Sequence, residues 1–246
     1  MSVVEPHLRF EGVTKRFDGT LAVDGLTSGV AAGEVYGLIG PNGSGKTTLM
    51  NLVSGFYAVD QGAILLGGVH LERRRAHQMA ALGVVRTFQL PRAFGSLSVF
   101  DNLLVPVTAE HRGEALAEVR LQADEALAWT GLEQHATASA STLSGGQTML
   151  LQLARAIMHD PLRLLLLDEP FAGVAPAIKQ RMIETIQRLN RERGTTTVLV
   201  SHELSTVRQL CTRVGVMNAG RLIAEGPLAE VAARPEVIEA YLGKPV

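Results

Sequence analysis

Apolar and β-branched runs alternate with polar segments along the chain and predict the main strands. Val35 to Ile39, Leu164 to Leu167 and Thr196 to Val200 are such runs, and a polar motif follows each of them. Strands of this kind are typical of the centre of a parallel sheet, where helices cover both faces. The pattern therefore predicts an α/β protein with its chemistry at the strand ends.

Shorter signals predict further strands and the helices. Apolar residues at helical spacing within residues 110–130 predict a helix; we expect residues 90–158 to be mostly helical and residues 228–242 to form one closing helix. Short strands are expected at Leu8 to Phe10 and Leu26 to Val30, on either side of a turn at Asp18-Gly19. Others are expected at residues 62–68 and 83–88, and in a hairpin of residues 214–217 and 222–224.

The composition is that of a globular protein with ample core material. The chain has 246 residues, 46% of them hydrophobic and 19% charged, with a net charge of −1 and one cysteine, Cys211. This length favours one large domain or two small ones, and the charge offers no general attraction to nucleic acid or anionic lipid. We see neither a signal-peptide pattern nor an apolar run of about 18 residues, so any membrane role is expected to come through a partner.

A phosphate-binding loop is the sharpest chemical signal. Gly40 to Thr47 reads Gly-Pro-Asn-Gly-Ser-Gly-Lys-Thr, which completes the pattern G-x-x-x-x-G-K-[ST] between a predicted strand and a predicted helix. Backbone N–H groups can close around phosphate oxygens, Lys46 can reach the β- and γ-phosphates, and Thr47 can offer its hydroxyl to Mg²⁺. A plain Gly-rich turn is the alternative. The predicted nucleotide-binding residues here are Asn42, Gly43, Ser44, Gly45, Lys46, Thr47 and Thr48.

Two carboxylates follow the apolar run at Leu164 to Leu167. Asp168 and Glu169 are expected at the carboxyl edge of a buried strand, where open α/β sheets bind ligands. Asp168 can hold Mg²⁺, and Glu169 can polarise an attacking water as a general base. A solvated acidic turn is the alternative, and the upstream phosphate loop argues against it.

Leu143 to Gln147 reads Leu-Ser-Gly-Gly-Gln and predicts a second anion site. Ser144 and Gln147 have the spacing of a capping box, and Gly145 and Gly146 leave N–H groups bare at a helix start. The alternative is an ordinary helix cap. Two such sites in one chain suggest either two nucleotides or one nucleotide held between two chains.

The order and spacing of these motifs resemble those of ABC-type ATPase subunits over almost the whole chain. The resemblance rests on Gly40 to Thr47, Gln89, Leu143 to Gln147, Leu167 to Glu169 and Ser201-His202. It implies an α/β P-loop NTPase core with a β-rich N-terminal subdomain and an inserted helical subdomain. The resemblance implies one domain over residues 1–246. Its nucleotide-binding core is expected at residues 1–89 and 159–246. The helical subdomain, which carries the signature motif, is expected at residues 90–158.

The resemblance also implies a head-to-tail dimer that binds ATP and Mg²⁺. Each ATP is expected between the phosphate loop of one chain and Ser144, Gly145, Gly146 and Gln147 of the other. Phe17 matches the aromatic residue that stacks on adenine, Gln89 the glutamine that senses Mg²⁺, and His202 the histidine that contacts the γ-phosphate. A core aromatic, a strand-end polar residue and a structural histidine are the respective alternatives. The implied catalytic residues are Lys46, Glu169 and His202, and the implied metal ligands are Thr47, Gln89 and Asp168.

One position departs from the family pattern. The family usually has a Ser-Ala-Leu-Asp-like turn after Asp168-Glu169-Pro170. Here the turn is Ala172-Gly173-Val174-Ala175-Pro176, and Ala175 takes its last position. The missing carboxylate weakens any expectation of signalling across the dimer through that side chain.

Softer features resemble the ATPases of branched-chain amino-acid importers. They are Asn51 to Tyr57, Arg86 to Gln89, Ala172 to Pro176 and Pro235 to Gly243. The implied partners are membrane permeases, a second ATPase subunit and an extracytoplasmic substrate-binding protein, with the chain at the cytoplasmic face of the membrane and no nucleic acid involved. A urea or amide importer and a lipopolysaccharide-export ATPase remain alternatives. A non-transport ATPase is disfavoured because the chain has neither a coiled-coil insertion nor a second motif set.

Overall fold

A computed structural model describes residues 7–87, 93–110 and 116–242. The strands in these residues lie in two sheets. They are β1 (Leu8–Phe17), β2 (Thr20–Val30), β3 (Val35–Ile39), β4 (Gln61–Leu66), β5 (Val69–His70), β6 (Val84–Thr87), β7 (Leu164–Asp168), β8 (Thr196–Val200), β9 (Arg213–Asn218) and β10 (Arg221–Gly226).

The larger sheet has the order β10-β9-β3-β8-β7-β6. Its strands run parallel except for β10, which forms the predicted hairpin with β9. Every residue of β3, β7 and β8 is buried, as their apolar and β-branched sequences predict. The carboxyl ends of these three central strands therefore meet at one edge, and this confirms the predicted α/β class.

The smaller sheet has the order β2-β1-β4-β5 and is antiparallel. Asp18 and Gly19 have φ values of 42° and 88°, as the tight turn between two antiparallel strands requires. The strands β1 and β2 are longer than predicted, because polar residues alternate with the buried Val13 and Val23 through the middle of the hairpin. A scan for apolar runs alone finds only the ends of these strands.

The α-helices in the described residues lie between or after the strands, and three of them follow one another between β6 and β7. They are α1 (Lys46–Val53), α2 (Ala76–Met79), α3 (Val99–Glu110), α4 (Leu116–Thr130), α5 (Gly145–Ile157), α6 (Pro176–Arg193), α7 (Leu204–Leu210), α8 (Leu228–Ala232) and α9 (Pro235–Leu242). Proline at the first position of α6 and Gly194 with φ 64° at its end are favourable helix boundaries. Within the described residues, no helix is both long and apolar enough to cross a membrane.

The prediction of one closing helix over residues 228–242 is wrong. The chain forms α8 and α9 with a break at Ala233 and Arg234. Proline has no backbone N–H and disfavours the helical conformation in the residue before it, so Pro235 ends one helix and begins the next. Pro235 therefore indicates the break in the sequence itself, whereas the Ala-rich composition favours one continuous helix.

Cys211 follows α7 and lies partly buried against β3. A Cβ built on Gly37 would lie 3.2 Å from the Cys211 Sγ, so the thiol packs directly on the strand that leads to the phosphate loop. Burial, aided by the Glu34 carboxylate, raises the pKa of the Cys211 thiol to about 12. The thiol is therefore protonated throughout the neutral range.

Candidate functional site

A cleft of about 640 Å³ opens at the carboxyl edge of the larger sheet. This is the edge where open α/β sheets bind ligands. The cleft brings together residues that lie far apart in the sequence: Asn42 to Thr48, Asp168, Glu169 and His202, with Thr20, Leu21, Ala22, Val200 and Ala219 completing its walls. The structure thus places the predicted phosphate loop and the predicted carboxylates in one site.

The phosphate loop is fixed by close backbone packing at two glycines. Gly40 and Gly45 have φ values of 146° and 104°. A Cβ on Gly40 would lie 2.1 Å from the Met217 carbonyl oxygen, and one on Gly45 would lie 2.2 Å from that of Ala22. Only glycine fits at either position, and the loop delivers the N-terminus of α1, with its free N–H groups, into the cleft.

Lys46 is the first residue of α1, and its ammonium lies inside the loop. Its Nζ donates to the carbonyl oxygens of Gly40 and Pro41, at 2.8 and 2.9 Å, and lies 3.3 Å from the Ser44 Oγ. Burial lowers the pKa of this ammonium, while the Glu169 and Asp168 carboxylates oppose that shift. The loop therefore holds a partly desolvated cation next to the position where a phosphate would lie.

Asp168 ends β7 and forms a buried ion pair that the sequence reasoning missed. The Arg86 Nη2 lies 2.8 Å from the Asp168 Oδ2, and their side chains are 7% and 10% exposed. The Arg86 Nη1 also donates to the Asn51 Oδ1 at 2.6 Å and to the Ser54 Oγ at 3.1 Å. Arg86 thus connects β6, β7 and the end of α1. A cation inside the short strand Val84–Thr87 was the available signal, since such a charge needs a partner.

Glu169 and His202 both line the cleft, and their side chains lie within hydrogen-bond distance of each other. The His202 Nδ1 lies 2.9 Å from the Glu169 Oε2, and their side chains are 70% and 17% exposed. Glu169 has a φ of 50°, which is uncommon for a non-glycine residue, and its N–H donates to the Val200 carbonyl at 2.9 Å. Backbone strain of this kind clusters at functional sites. The arrangement directs a carboxylate into the cleft beside the phosphate loop.

Phe17 ends β1 outside the lining of the cleft, directly before the turn that leads to Thr20. Its ring is 37% exposed, which excludes the alternative of a core aromatic. The Tyr57 ring lies 5.1 Å from it, centroid to centroid, with an interplanar angle of 69°, and the Lys15 Nζ lies 5.3 Å from its centroid. Tyr57 is not among the site residues that the sequence predicts.

Ser144 to Gln147 lie at the start of α5 and do not line the cleft. The Gln147 N–H donates to the Ser144 Oγ at 3.3 Å, and the Ser144 N–H donates to the Gln147 Oε1 at 2.9 Å, which confirms the predicted capping box. A Cβ on Gly146 would lie 3.3 Å from side-chain atoms of Ile178 on α6. Ser144 and Gly145 are exposed, so this segment is accessible to a partner molecule.

Two further predicted positions add little to the geometry. Gln89 lies outside the described residues. Ala175 precedes α6 with φ −60° and ψ 146° and gives the helix no side-chain cap.

The site consists of a phosphate loop that requires glycine at two positions, the lysine that begins the next helix, and two carboxylates at the end of a parallel strand of the same sheet. This combination defines a P-loop nucleoside triphosphatase. Known proteins narrow this class. The ABC transporter family profile matches residues 23–172, and a profile for branched-chain amino acid ATP-binding cassette transporters matches residues 221–246. The chain belongs to the ABC transporter ATP-binding family, whose members are ATPases.

Relatives match over nearly their full length. The probable branched-chain amino acid transport ATP-binding protein LivG of Archaeoglobus fulgidus is 37% identical, with 96% of this chain and 95% of the relative covered. The high-affinity branched-chain amino acid transport ATP-binding protein LivG of Escherichia coli is also 37% identical, with 98% and 99% covered. The crystal structure of a nucleotide-free ATP-binding cassette from an ABC transporter superposes with a TM-score of 0.85 at 31% identity, covering 96% of this chain and 99% of that one.

Proposed function

We propose that the chain is the ATP-hydrolysing subunit of an importer for branched-chain amino acids. The observation that carries the proposal is the full-length likeness to LivG proteins, joined to a C-terminal segment typical of branched-chain amino acid cassettes. The C-terminal match lies outside the segment matched by the general ABC transporter profile, so it supports the narrower assignment independently of the phosphate loop.

The phosphate loop binds the triphosphate of ATP in this proposal. The N–H groups at the N-terminus of α1, which begins at Lys46, supply neutral donors, and the Lys46 ammonium supplies the charge. Lys46 now donates to two loop carbonyls, and a phosphate oxygen offers it a charge-assisted bond in exchange. Because the ammonium is partly desolvated already, little further desolvation accompanies that exchange.

Glu169 is the proposed general base. Its carboxylate polarises a water molecule for attack on the γ-phosphate and takes up a proton of that water. His202 lies within hydrogen-bond distance of the same carboxylate and can orient it. In the resemblance to ABC ATPases this histidine also contacts the γ-phosphate, and its high exposure on the cleft side is consistent with that role.

The chain offers Mg²⁺ the oxygen ligands that this ion prefers. Thr47 and Asp168 both line the cleft, where a hydroxyl and a carboxylate suit Mg²⁺ together with phosphate oxygens. Gln89 is the proposed third ligand. When bound, the ion would neutralise charge on the β- and γ-phosphates. Arg86 fixes the Asp168 carboxylate from the side of β6.

Ser144 to Gln147 are proposed to complete the ATP site of a second subunit. These residues do not line the chain's own cleft, and Ser144 and Gly145 are exposed, which supports a head-to-tail dimer formed with a second copy or a paralogue. In the proposed layout, residues 1–89 and 159–246 form the nucleotide-binding core and residues 90–158 the helical subdomain. Permeases would hold the dimer at the cytoplasmic face of the membrane, with a substrate-binding protein on the other side.

Transport in reconstituted vesicles tests this function. The complete transporter is placed in vesicles that contain ATP, with its substrate-binding protein outside, and uptake of labelled leucine, urea or methionine is compared. We expect ATP-dependent uptake of leucine and loss of uptake with Glu169→Gln. Uptake of urea in preference to leucine would contradict the substrate, and uptake independent of Glu169 would contradict the mechanism.

A further inference from the structure

Two exposed aromatic rings form a fixed pair beside the nucleotide cleft. Phe17 and Tyr57 are 37% and 42% exposed, yet their rings meet edge-on at 5.1 Å. An aromatic pair on a surface gains little from burial, so its geometry depends on what holds the two backbones. Phe17 pairs with Thr20 in the β1–β2 hairpin, and Thr20 lines the cleft, so the aromatic pair lies next to the cleft.

The loop that carries Tyr57 is attached at both of its ends. The N–H groups of Phe56 and Tyr57 both donate to the Asn51 carbonyl in α1, at 2.9 and 3.2 Å. At the other end the Asp60 N–H donates to the Thr14 carbonyl in β1 at 3.0 Å. The loop thus joins the phosphate-loop helix to the strand that carries Phe17.

Asp60 also holds Lys15, the cationic neighbour of the Phe17 ring. Its Oδ1 lies 2.8 Å from the Lys15 Nζ, and its Oδ2 accepts the Arg16 N–H at 2.7 Å. These bonds hold the pKa of the Asp60 carboxyl below its ordinary value, so the ion pair persists at neutral pH. Lys15 in turn lies 5.3 Å from the Phe17 centroid. One loop therefore supplies the ring partner of Phe17 and anchors its cationic neighbour.

We propose that Tyr57 is a positioning residue for the purine base, acting by holding the Phe17 ring in the orientation that stacks on it. The inference rests on the proposed nucleotide site and extends it from the phosphates to the base. A ring held before binding loses less rotamer freedom on binding.

Equilibrium binding separates the base from the phosphates. Two ligands are titrated: ATP, and inorganic tripolyphosphate, which has no base. The proteins are the wild-type chain, Tyr57→Ala, Tyr57→Phe, Phe17→Ala and the Phe17→Ala/Tyr57→Ala double variant. Lys46→Ala is the control for the phosphate site. We expect Tyr57→Ala to weaken ATP binding about three- to tenfold and to leave tripolyphosphate binding unchanged, in line with the strength of an aromatic pair. Tyr57→Phe keeps the ring and should match the wild type.

The double variant tests whether Tyr57 affects ATP binding through the Phe17 ring. If Tyr57 acts through Phe17, removing Tyr57 in the Phe17→Ala background should change ATP affinity by less than twofold. Equal losses for ATP and tripolyphosphate would make Tyr57 a structural residue and overturn the inference, as would unchanged ATP affinity or additive losses in the double variant. If Lys46→Ala leaves both affinities at wild-type values, the nucleotide site itself is wrong and the inference falls with it.

Discussion

At the scale of single residues, the cleft combines charge with backbone strain. Glu169 keeps a positive φ although it is not a glycine, and the Val200 carbonyl and His202 hold its backbone and side chain. A conformation of this kind costs about 1–3 kcal/mol and persists only where neighbouring structure enforces it. The strain therefore places one carboxylate with a precision that an ordinary surface glutamate lacks.

Replacing that carboxylate should separate binding from hydrolysis. Glu169→Gln keeps the size of the side chain but cannot accept a proton, so we expect turnover to fall about 10²-fold or more while ATP binding is retained. ATP turnover and equilibrium binding measure the two effects, and ATP should trap the variant as a dimer of doubled mass. Glu203→Gln is the matched control, because Glu203 pairs with Lys179 outside the cleft. Near-wild-type turnover in Glu169→Gln would remove Glu169 from the role.

Residues in local motifs could be predicted, whereas residues that act through distant partners could not. Lys46, Thr47, Asp168 and Glu169 lie in short patterns next to predicted strands, and the structure brings them together as expected. Arg86 meets Asp168 across 82 positions of sequence, because β6 and β7 pair in parallel with Arg86 opposite Leu166. The contact of Tyr57 with Phe17 depends in the same way on the register of β1 and β4, which no local pattern specifies.

At the scale of elements, boundaries depend on single residues. The Asp18-Gly19 turn and the Ser144–Gln147 box were predicted correctly because their backbone chemistry is local. The break between α8 and α9 was missed although Pro235 marks it. The middle parts of β1 and β2 were not predicted either. Polar and apolar residues alternate there, and such a stretch contains no apolar run that would distinguish a strand from a loop.

The start of α5 supports a prediction about assembly. Ser144→Arg places bulk and a cation on the exposed surface where the ATP of a second chain would dock, so we expect ATP binding by the monomer but no ATP-driven dimer and little hydrolysis. Sedimentation with and without ATP measures assembly. The variant also loses the helix cap, which costs about 1 kcal/mol.

A second variant isolates the loss of the cap. Ser144→Ala removes the hydroxyl without adding bulk, so it should lower thermal stability to a similar extent and still form the dimer. If both variants lose helix content and dimerisation together, Ser144 is an ordinary cap and the composite site is not supported.

At the scale of the whole molecule, we expect the exposed ring of Phe94 to form part of the surface that docks the membrane partner. Its ring is 48% exposed, the Arg155 guanidinium lies 5.3 Å from its centroid, and Asn102 fixes its backbone through its N–H at 2.9 Å and its carbonyl at 3.1 Å. Leu97, three residues further along, is only partly exposed. An apolar anchor with a basic rim suits a helix docked in a groove.

Phe94→Asp should uncouple the ATPase from transport. Because the ring lies outside the cleft, we expect basal hydrolysis within a few-fold of the wild type but weaker copurification with the permease and loss of transport in vesicles. Leu121→Asp is the control, since Leu121 is an apolar residue on α4 that is 70% exposed. Full transport by Phe94→Asp would place the docking surface elsewhere.

The packing of Cys211 on β3 makes the natural chain suitable for site-specific labelling. Its thiol has a pKa near 12, so at pH 7.5 almost none of it is the thiolate that reacts with maleimides and disulfide reagents. The folded chain should react far more slowly than the unfolded one, and the rate should rise about tenfold for each pH unit while the fold persists. Rapid modification of the folded chain near pH 7 in a thiol titration would contradict this. A spectroscopic probe attached through a cysteine introduced at an exposed position away from Ser144, such as Leu121 on α4, would then label that position without first removing the native cysteine.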